Sequence, residues 1–271
     1  MILDDVFPPD PRVENEAITL VNSGYDVFLF CLQNGNQKTN ELINGINIRR
    51  YKFSKLTHKL SALSYDLPFY KMIMQPKINH FIKKNDINFL HIHDIRIAEA
   101  VFQANKKHQL KTVLDLHDNI PENMKFYPHL NKFPGKYIIS PNKWRKKENE
   151  FILKADKIIT VSPNFAENII KKNNIETKKM VVVPNTVRQS FYKDAIYSDI
   201  IKEKYSNKFV VLYLGDTNIR RGLLTAIRAT EFLSKKIANF KLVIVGQNTT
   251  DSILKEETKK LNLESFIDFE G

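Results

Sequence analysis

Cysteine is nearly missing: Cys31 is the only one in 271 residues. That count excludes a disulfide within the chain and a zinc site built on several thiolates. No apolar run reaches the length that crosses a bilayer, and no apolar leader precedes the first polar residues. A cytoplasmic protein is therefore expected. Glycine is sparse, at 8 residues, which leaves little material for low-complexity linkers. Acid is in deficit as well: 42 Lys and Arg face 30 Asp and Glu, a formal charge of +12. That excess suits an anionic partner, whether nucleotide, phospholipid surface or nucleic acid. The rest is ordinary globular composition, 42% hydrophobic, in a chain long enough for two domains.

One stretch organises the reading, from Phe209 to Gly246. The continuous apolar run Phe209 to Leu214 reads as a strand buried on both faces, stopped by Gly215. After the polar loop Asp216 to Arg221, Leu223, Ala226, Ile227 and Leu233 fall at helical spacing. Lys241 to Val245 is a second strand, so the stretch is a βαβ unit with parallel strands. Ligands of such sheets bind beyond the carboxyl ends of the strands, where a helix N-terminus offers free N–H groups to an anion. Arg220 and Arg221 add guanidinium groups that fork onto phosphate oxygens. Gly215 to Gly222 is thus a candidate phosphate or diphosphate loop, although its spacing is neither the dinucleotide fingerprint nor the Walker loop. The alternative is a structural turn carrying two solvated arginines.

Strand and helix alternate through the rest of the chain. Met1 to Leu3 is a short strand, and Asp10 with Pro11 makes a helix start that Gly24 ends. Strands are expected at Tyr25 to Cys31, Ile46 to Phe53, Ile87 to Ile92, Thr112 to Leu116, Lys157 to Val161 and Met180 to Val183. Helices lie between them, with Pro68 and Pro76 interrupting the one from Ser54 to Lys84. A long loop, Asn119 to Lys143, carries several prolines and aromatics. The polar stretch from Pro184 to Asn207 reads as a linker. Two doubly wound α/β domains follow, residues 1–190 and 191–271.

In this order the segments resemble the group 1 (family 4) glycosyltransferases. The pieces that carry the likeness are Asp10-Pro-Arg12-Val-Glu-Asn-Glu16-Ala, Ser23-Gly-Tyr-Asp-Val and His91-Ile-His93-Asp94. They continue with Asp115-Leu-His117-Asp118, Ala155-Asp156-Lys-Ile-Ile-Thr-Val-Ser162, Pro184-Asn185 and the run to Gly246. The resemblance implies a GT-B-like architecture of two Rossmann-type domains, the second incomplete. It implies sugar transfer from a nucleotide-sugar donor to a glycan or lipid-linked acceptor, with retention, in cell-surface polysaccharide synthesis, and with no metal or other cofactor. It places the catalytic histidine at His117 and the donor diphosphate at Gly215, Arg220, Arg221 and Gly222, with Arg12 adding attraction from the first loop. Asp94, Asp115 and Asp118 become acceptor-side or loop-orienting residues. Where the family has a basic residue after the first glycine, this chain has Asp216, which repels a diphosphate. Family members continue past the segment matching Phe266 to Gly271 with a pair of glutamates for ribose and sugar. A fragment that does not transfer sugar unaided is therefore expected.

Two other readings stay open. One is a binding-only remnant of a transferase. The other is a metal-dependent hydrolase built on His91, His93 and His117, since residues two apart on a strand share a face. The basic run Lys143, Trp144, Arg145, Lys146 and Lys147 has an aromatic among cations, suited to docking peripherally on the anionic inner face of a membrane, or else forms a solvated helix face. No nucleic-acid partner is expected, because the basic residues are scattered and no reading helix is recognisable.

Overall fold

The computed structural model of the protein describes residues 1–127, 130, 132, 133, 135–193 and 196–271, with the backbone alone described at Lys55, His58, Lys59, Gln189 and Ser190. The chain divides into two compact units, Met1–Arg188 and Gln189–Gly271.

The first unit is built on an eight-stranded sheet. Its strands are β1 Ile2–Val6, β2 Phe28–Leu32, β3 Asn40–Ile43, β4 Ile46–Tyr51, β5 Phe89–His93, β6 Lys111–Leu116, β7 Lys157–Thr160 and β8 Met180–Val182. They lie in the order β3-β4-β2-β1-β5-β6-β7-β8. Every pair is parallel except β3 with β4. β3 is an addition to the sequence reading. The turn before β4 is Asn44-Gly45, both at positive φ (49° and 79°), the backbone that a two-residue hairpin requires. That dipeptide is the signal that was available; the polar strand before it is not apolar enough to stand out.

Side chains alternate across this sheet and divide its core in two. Ile2, Phe30, Leu90, Ile92, Leu114 and Ile158 point to one face, packed with Met74 and Ile78 of α3 (Phe69–Lys84), Val101 of α4 (Ala98–Asn105) and Phe151 of α7 (Pro141–Lys154). Leu3, Leu29, Cys31, Ile46 and Ile48 point to the other, under Val13 and Ala17 of α1 (Pro11–Asn22). His91, His93 and Asp115 alternate with the first set and so face the α1 side. Helix α1 starts as its sequence dictates: the Asp10 side chain accepts from the N–H groups of Arg12 and Val13, and Pro11 occupies the first turn.

Two expectations for this unit need correction. Residues 119–143 are not a structureless loop: α5 (Ile120–Asn123), a 3₁₀ turn (Met124–Phe126) and α6 (Gly135–Ile138) punctuate them, although positions 128, 129, 131 and 134 lie outside the described residues. The second correction concerns the basic run. Trp144 is 4% exposed, set edge-on against Tyr65 at 4.8 Å, so it cannot anchor in a bilayer. A tryptophan at helical spacing from Glu148, Phe151 and Ile152 belongs to the buried stripe of α7. Its basic neighbours are largely paired, Lys143 with Asp66, Arg145 with Glu122 and Lys147 with Glu99 and Glu150, while Lys146 is exposed.

The second unit carries three parallel strands, β9 Phe209–Leu214, β10 Phe240–Val245 and β11 Ile267–Glu270, in the order β11-β10-β9. Its core gathers Leu223 and Ile227 of α11 (Leu223–Lys236), Leu254 of α12 (Asp251–Lys260) and Leu242, Ile244 and Ile267 of the sheet. β9 departs from the sequence reading. Among the described residues it pairs with β10 alone, and all of its residues except Tyr213 are exposed, Leu214 at 73% and Leu212 at 61%. A run of β-branched and aromatic residues identifies a strand but not what covers it. The expected linker contains short helices instead, Gln189–Lys193 and Asp199–Lys204, the latter capped by Ser198.

Candidate functional site

In the first unit the chemistry collects where β5 and β6 end. Asp115 is the hub. Its Oδ2 lies 3.1 Å from His93 Nδ1 and 3.3 Å from His117 Nδ1. His117 Nε2 reaches Asp94 Oδ2 at 3.0 Å. Asp94 is turned to receive it by a left-handed backbone (φ 69°), with its N–H donated to the Asp115 carbonyl at 3.1 Å. Burial opposes charge on His117. The hydrogen bonds to Asp115 and Asp94, and the charges behind them, outweigh it and raise the imidazole to about 10. Burial likewise opposes charge on Asp115, yet bonds from His117 and His93 hold its carboxyl well below the usual range. At neutral pH His117 is thus an imidazolium with both ring N–H groups given to carboxylates, and a ligand's negative oxygen gains the Nε2 donor by displacing Asp94, the more exposed of the two.

The predicted residues of this half do not all meet. His117, Asp115 and Asp94 are joined. Asp118 is exposed and outside the cluster. Arg12 turns back on its own helix cap, with Nη2 3.0 Å and Nε 3.3 Å from the two Asp10 oxygens. His91 and His93 stack at 4.3 Å between ring centres, and His91 Nε2 faces Glu16 Oε2 at 3.4 Å. His117 is not part of that group: the carboxylates and histidines that converge are Glu16, His91, His93 and Asp115.

Glu16 was missed as a site residue. It sits three residues after Val13 and one before Ala17, the two buried residues of α1. An acid on the apolar face of a helix was the signal. Burial, then the charge of Asp115, lifts its carboxyl to about 8. Asp4 was missed too: it accepts from the Tyr70 hydroxyl, lies 3.6 Å from Arg96, and burial raises it to about 6. A groove of about 1410 Å³ runs beside α1, lined by Arg12, Asn15, Glu16, His91, Val113 and Ile159 among others. His117 does not line it.

In the second unit the predicted loop is held as one piece. Gly215 leaves β9 at φ 146° and Gly222 enters α11 at φ 77°, a backbone that favours glycine at both positions. A Cβ on Gly246 would lie 1.9 Å from the Gly215 carbonyl oxygen, so the ends of β9 and β10 touch through backbone. Asp216 Oδ1 accepts from the N–H of Asn218 at 3.1 Å and from Asn248 Nδ2 at 2.7 Å. Its Oδ2 stands 3.6 Å from Arg221 Nε and 3.9 Å from Arg220 Nη2. Gly222 gives α11 no side-chain cap; the N–H of Thr225 donates to the Gly222 carbonyl at 2.9 Å, and no side chain caps those of Leu223 and Leu224, which suit an outside acceptor. Arg221 is half exposed at that mouth.

Each unit carries a sheet that is parallel, apart from β3 in the first, with polar groups gathered beyond the carboxyl ends of strands, which makes both units Rossmann-type; the structural neighbours below give the class as GT-B. The family model described as Glycosyltransferase Family 4 matches residues 12–191, and the chain belongs to that family. No curated protein matches the sequence. Sucrose-phosphate synthase of Thermosynechococcus elongatus superposes with a TM-score of 0.70 at 14% identity, over 96% of this chain and 64% of that one. A glycosyltransferase of Rickettsia africae gives 0.67 at 18% identity, over 99% and 66%. Anabaena HepE, solved with UDP-glucose, gives 0.62 at 15% identity, over 99% and 67%. At these identities the likeness is one of fold. The chain spans about two thirds of the length of these structures.

Proposed function

We propose that this chain works in transfer of a sugar from a nucleotide-sugar donor to a glycan or lipid-linked acceptor, with retention at the anomeric carbon and without a cofactor. The observation that carries the reading is His117, an imidazolium fixed between Asp94 and Asp115 at the end of β6 in a chain of this family. A departing diphosphate or a sugar hydroxyl needs a positioned donor, and preorganised charge of this kind stabilises a transition state. Within the second unit, the loop Gly215 to Gly222 offers a diphosphate the N-terminus of α11 and the guanidinium groups of Arg220 and Arg221. Arg12 contributes long-range attraction only, since Asp10 holds it. A role in cell-surface polysaccharide synthesis fits a lipid-linked acceptor, and a cytoplasmic protein resting on an anionic membrane would be drawn there by surface cations such as Lys146, with Trp144 taking no part.

The test is calorimetric titration of UDP and GDP into the chain and into Arg221→Ala. Loss of one charge-assisted contact should weaken the preferred nucleotide about ten- to a hundredfold, or about 1.5–3 kcal/mol. Equal affinity of both proteins for both nucleotides would remove the diphosphate from this loop.

A further inference from the structure

We propose that Glu16, His91, His93 and Asp115 form a binding site for a single divalent transition-metal ion of the zinc class. The site stands on geometry within the first unit and does not depend on the reading above.

Each of the four residues offers one donor atom, and these atoms all lie within 4.8 Å of one another. Zinc bonds of about 2.0–2.1 Å place neighbouring ligands of a tetrahedron about 3.3 Å apart. Two of the contacts already have that span: Glu16 Oε2 to His91 Nε2 at 3.4 Å and His93 Nδ1 to Asp115 Oδ2 at 3.1 Å. Small side-chain rotations close the remaining gaps.

The second observation is what these atoms lack. Among the described residues, His91 Nε2 and Glu16 Oε2, which face each other at 3.4 Å, are buried polar atoms without a hydrogen-bond partner. His91 is 7% exposed and His93 is 1% exposed. Two such atoms in one place are costly, because a buried polar group without a hydrogen bond loses its hydration and regains little in exchange. An ion that accepts their lone pairs removes the cost.

Two imidazoles with two carboxylates favour zinc, cobalt or nickel over magnesium and calcium, which prefer sites made wholly of oxygen. The way in is already open, because Glu16 and His91 line the groove beside α1. This cluster also differs from the metal site read from sequence: Glu16 and Asp115 take the place of His117, which touches the cluster only through Asp115 Oδ2.

The experiment is calorimetric titration of Zn²⁺ into the EDTA-stripped chain, with Co²⁺ absorption as a second readout. One ion should bind per chain, with tetrahedral cobalt bands in the visible and a rise in melting temperature. Glu16→Gln and His91→Ala should each weaken binding by about tenfold or more, while His80→Ala, an exposed histidine outside the cluster, should leave it unchanged. Glu16→Gln keeps the side-chain shape, so it carries the test even where His91→Ala unfolds. No stoichiometric binding, or a loss shared equally by His80→Ala, would overturn the site. Mg²⁺ bound as tightly as Zn²⁺ would overturn its class.

Discussion

β5 and β9 invert what their sequences suggest. β9, Phe-Val-Val-Leu-Tyr-Leu, is wholly apolar or aromatic and is exposed at nearly every position. β5, Phe-Leu-His-Ile-His, carries two histidines and is buried from its second residue to its last. The difference lies in neighbours. β5 runs between β1 and β6 with α3, α4 and α7 packed on one face and α1 beside the other, whereas β9 has β10 on one side only. Burial belongs to position in the sheet, and chemistry follows burial. In the first unit the carboxylates of Asp115 and Asp94 raise the pKa of His117 against its desolvation, while the loop after β9 keeps its arginines accessible for a ligand from outside.

The widest separation should appear in hydrogen exchange. Amides of Leu90 to Ile92 are expected to exchange about a thousandfold more slowly than those of Val211 to Leu214, a gap of about 4 kcal/mol in opening free energy. Equal protection measured by mass spectrometry would show that β9 is covered in solution, and the contrast would fail. A side-chain comparison comes next. Ile92→Ala removes a fully buried residue and should cost about 2–5 kcal/mol, while Val211→Ala, already 39% exposed, should cost less than about 1. Trp144, the only tryptophan and buried in the first unit, reports that unit's denaturant transition by fluorescence. Val211→Ala should leave the Trp144 midpoint in place.

The buried half should also declare itself through pH. The pKa of His117 is raised in the folded state, to about 10, above an unfolded value of about 6.5. The folded chain therefore holds a proton that the unfolded chain releases. The stabilisation is fully present below about pH 6.5 and is lost as pH rises through about 10. Glu16, raised to about 8, acts in the same direction at lower pH, losing its contribution between its ordinary carboxyl range and about 8. Unfolding followed at Trp144 should show stability falling between pH 7 and pH 10.5, and His117→Gln should flatten most of that fall. A variant that reproduces the wild-type slope would mean that His117 is not the group holding the proton.

How much of this was legible in sequence divides along the same line. Alternation of strand and helix, the capped start of α1 and the glycines of the loop after β9 are local signals, and they led to elements close to those observed. The joining of His117 to Asp115 was half legible, because two residues apart at a strand end keeps them close. What could not be read is long-range. Nothing local brings Glu16 of α1 under His91 of β5, or tells Trp144 that its helix will turn it towards Tyr65. Arg12 is the local case: its partner Asp10 stands two residues before it in the helix cap. Charge patterns reveal that a residue is basic and leave open what it pairs with.

The smallest expected effect is the most specific to the exposed half. Asp216 is the acid among the cations of this loop, and its carboxylate does two different things. Oδ1 ties the loop together through Asn218 and Asn248, while Oδ2 stands at 3.6 and 3.9 Å from the two arginines. Contacts that long between partly exposed groups are screened and contribute little to stability. They still oppose a diphosphate, because the carboxylate repels it and competes for the guanidinium groups. Asp216→Asn separates the two roles, since the amide oxygen remains an acceptor for Asn218 and Asn248 while the charge is removed. Affinity for UDP or GDP should rise about threefold, or about 0.7 kcal/mol. The dependence on salt should steepen, since two arginines then face the ligand without a fixed counter-ion. The melting temperature should not move. An affinity that falls instead would mean that the Asp216 charge shapes the loop or meets the ligand through a hydroxyl, and the arginines would not be its principal hold.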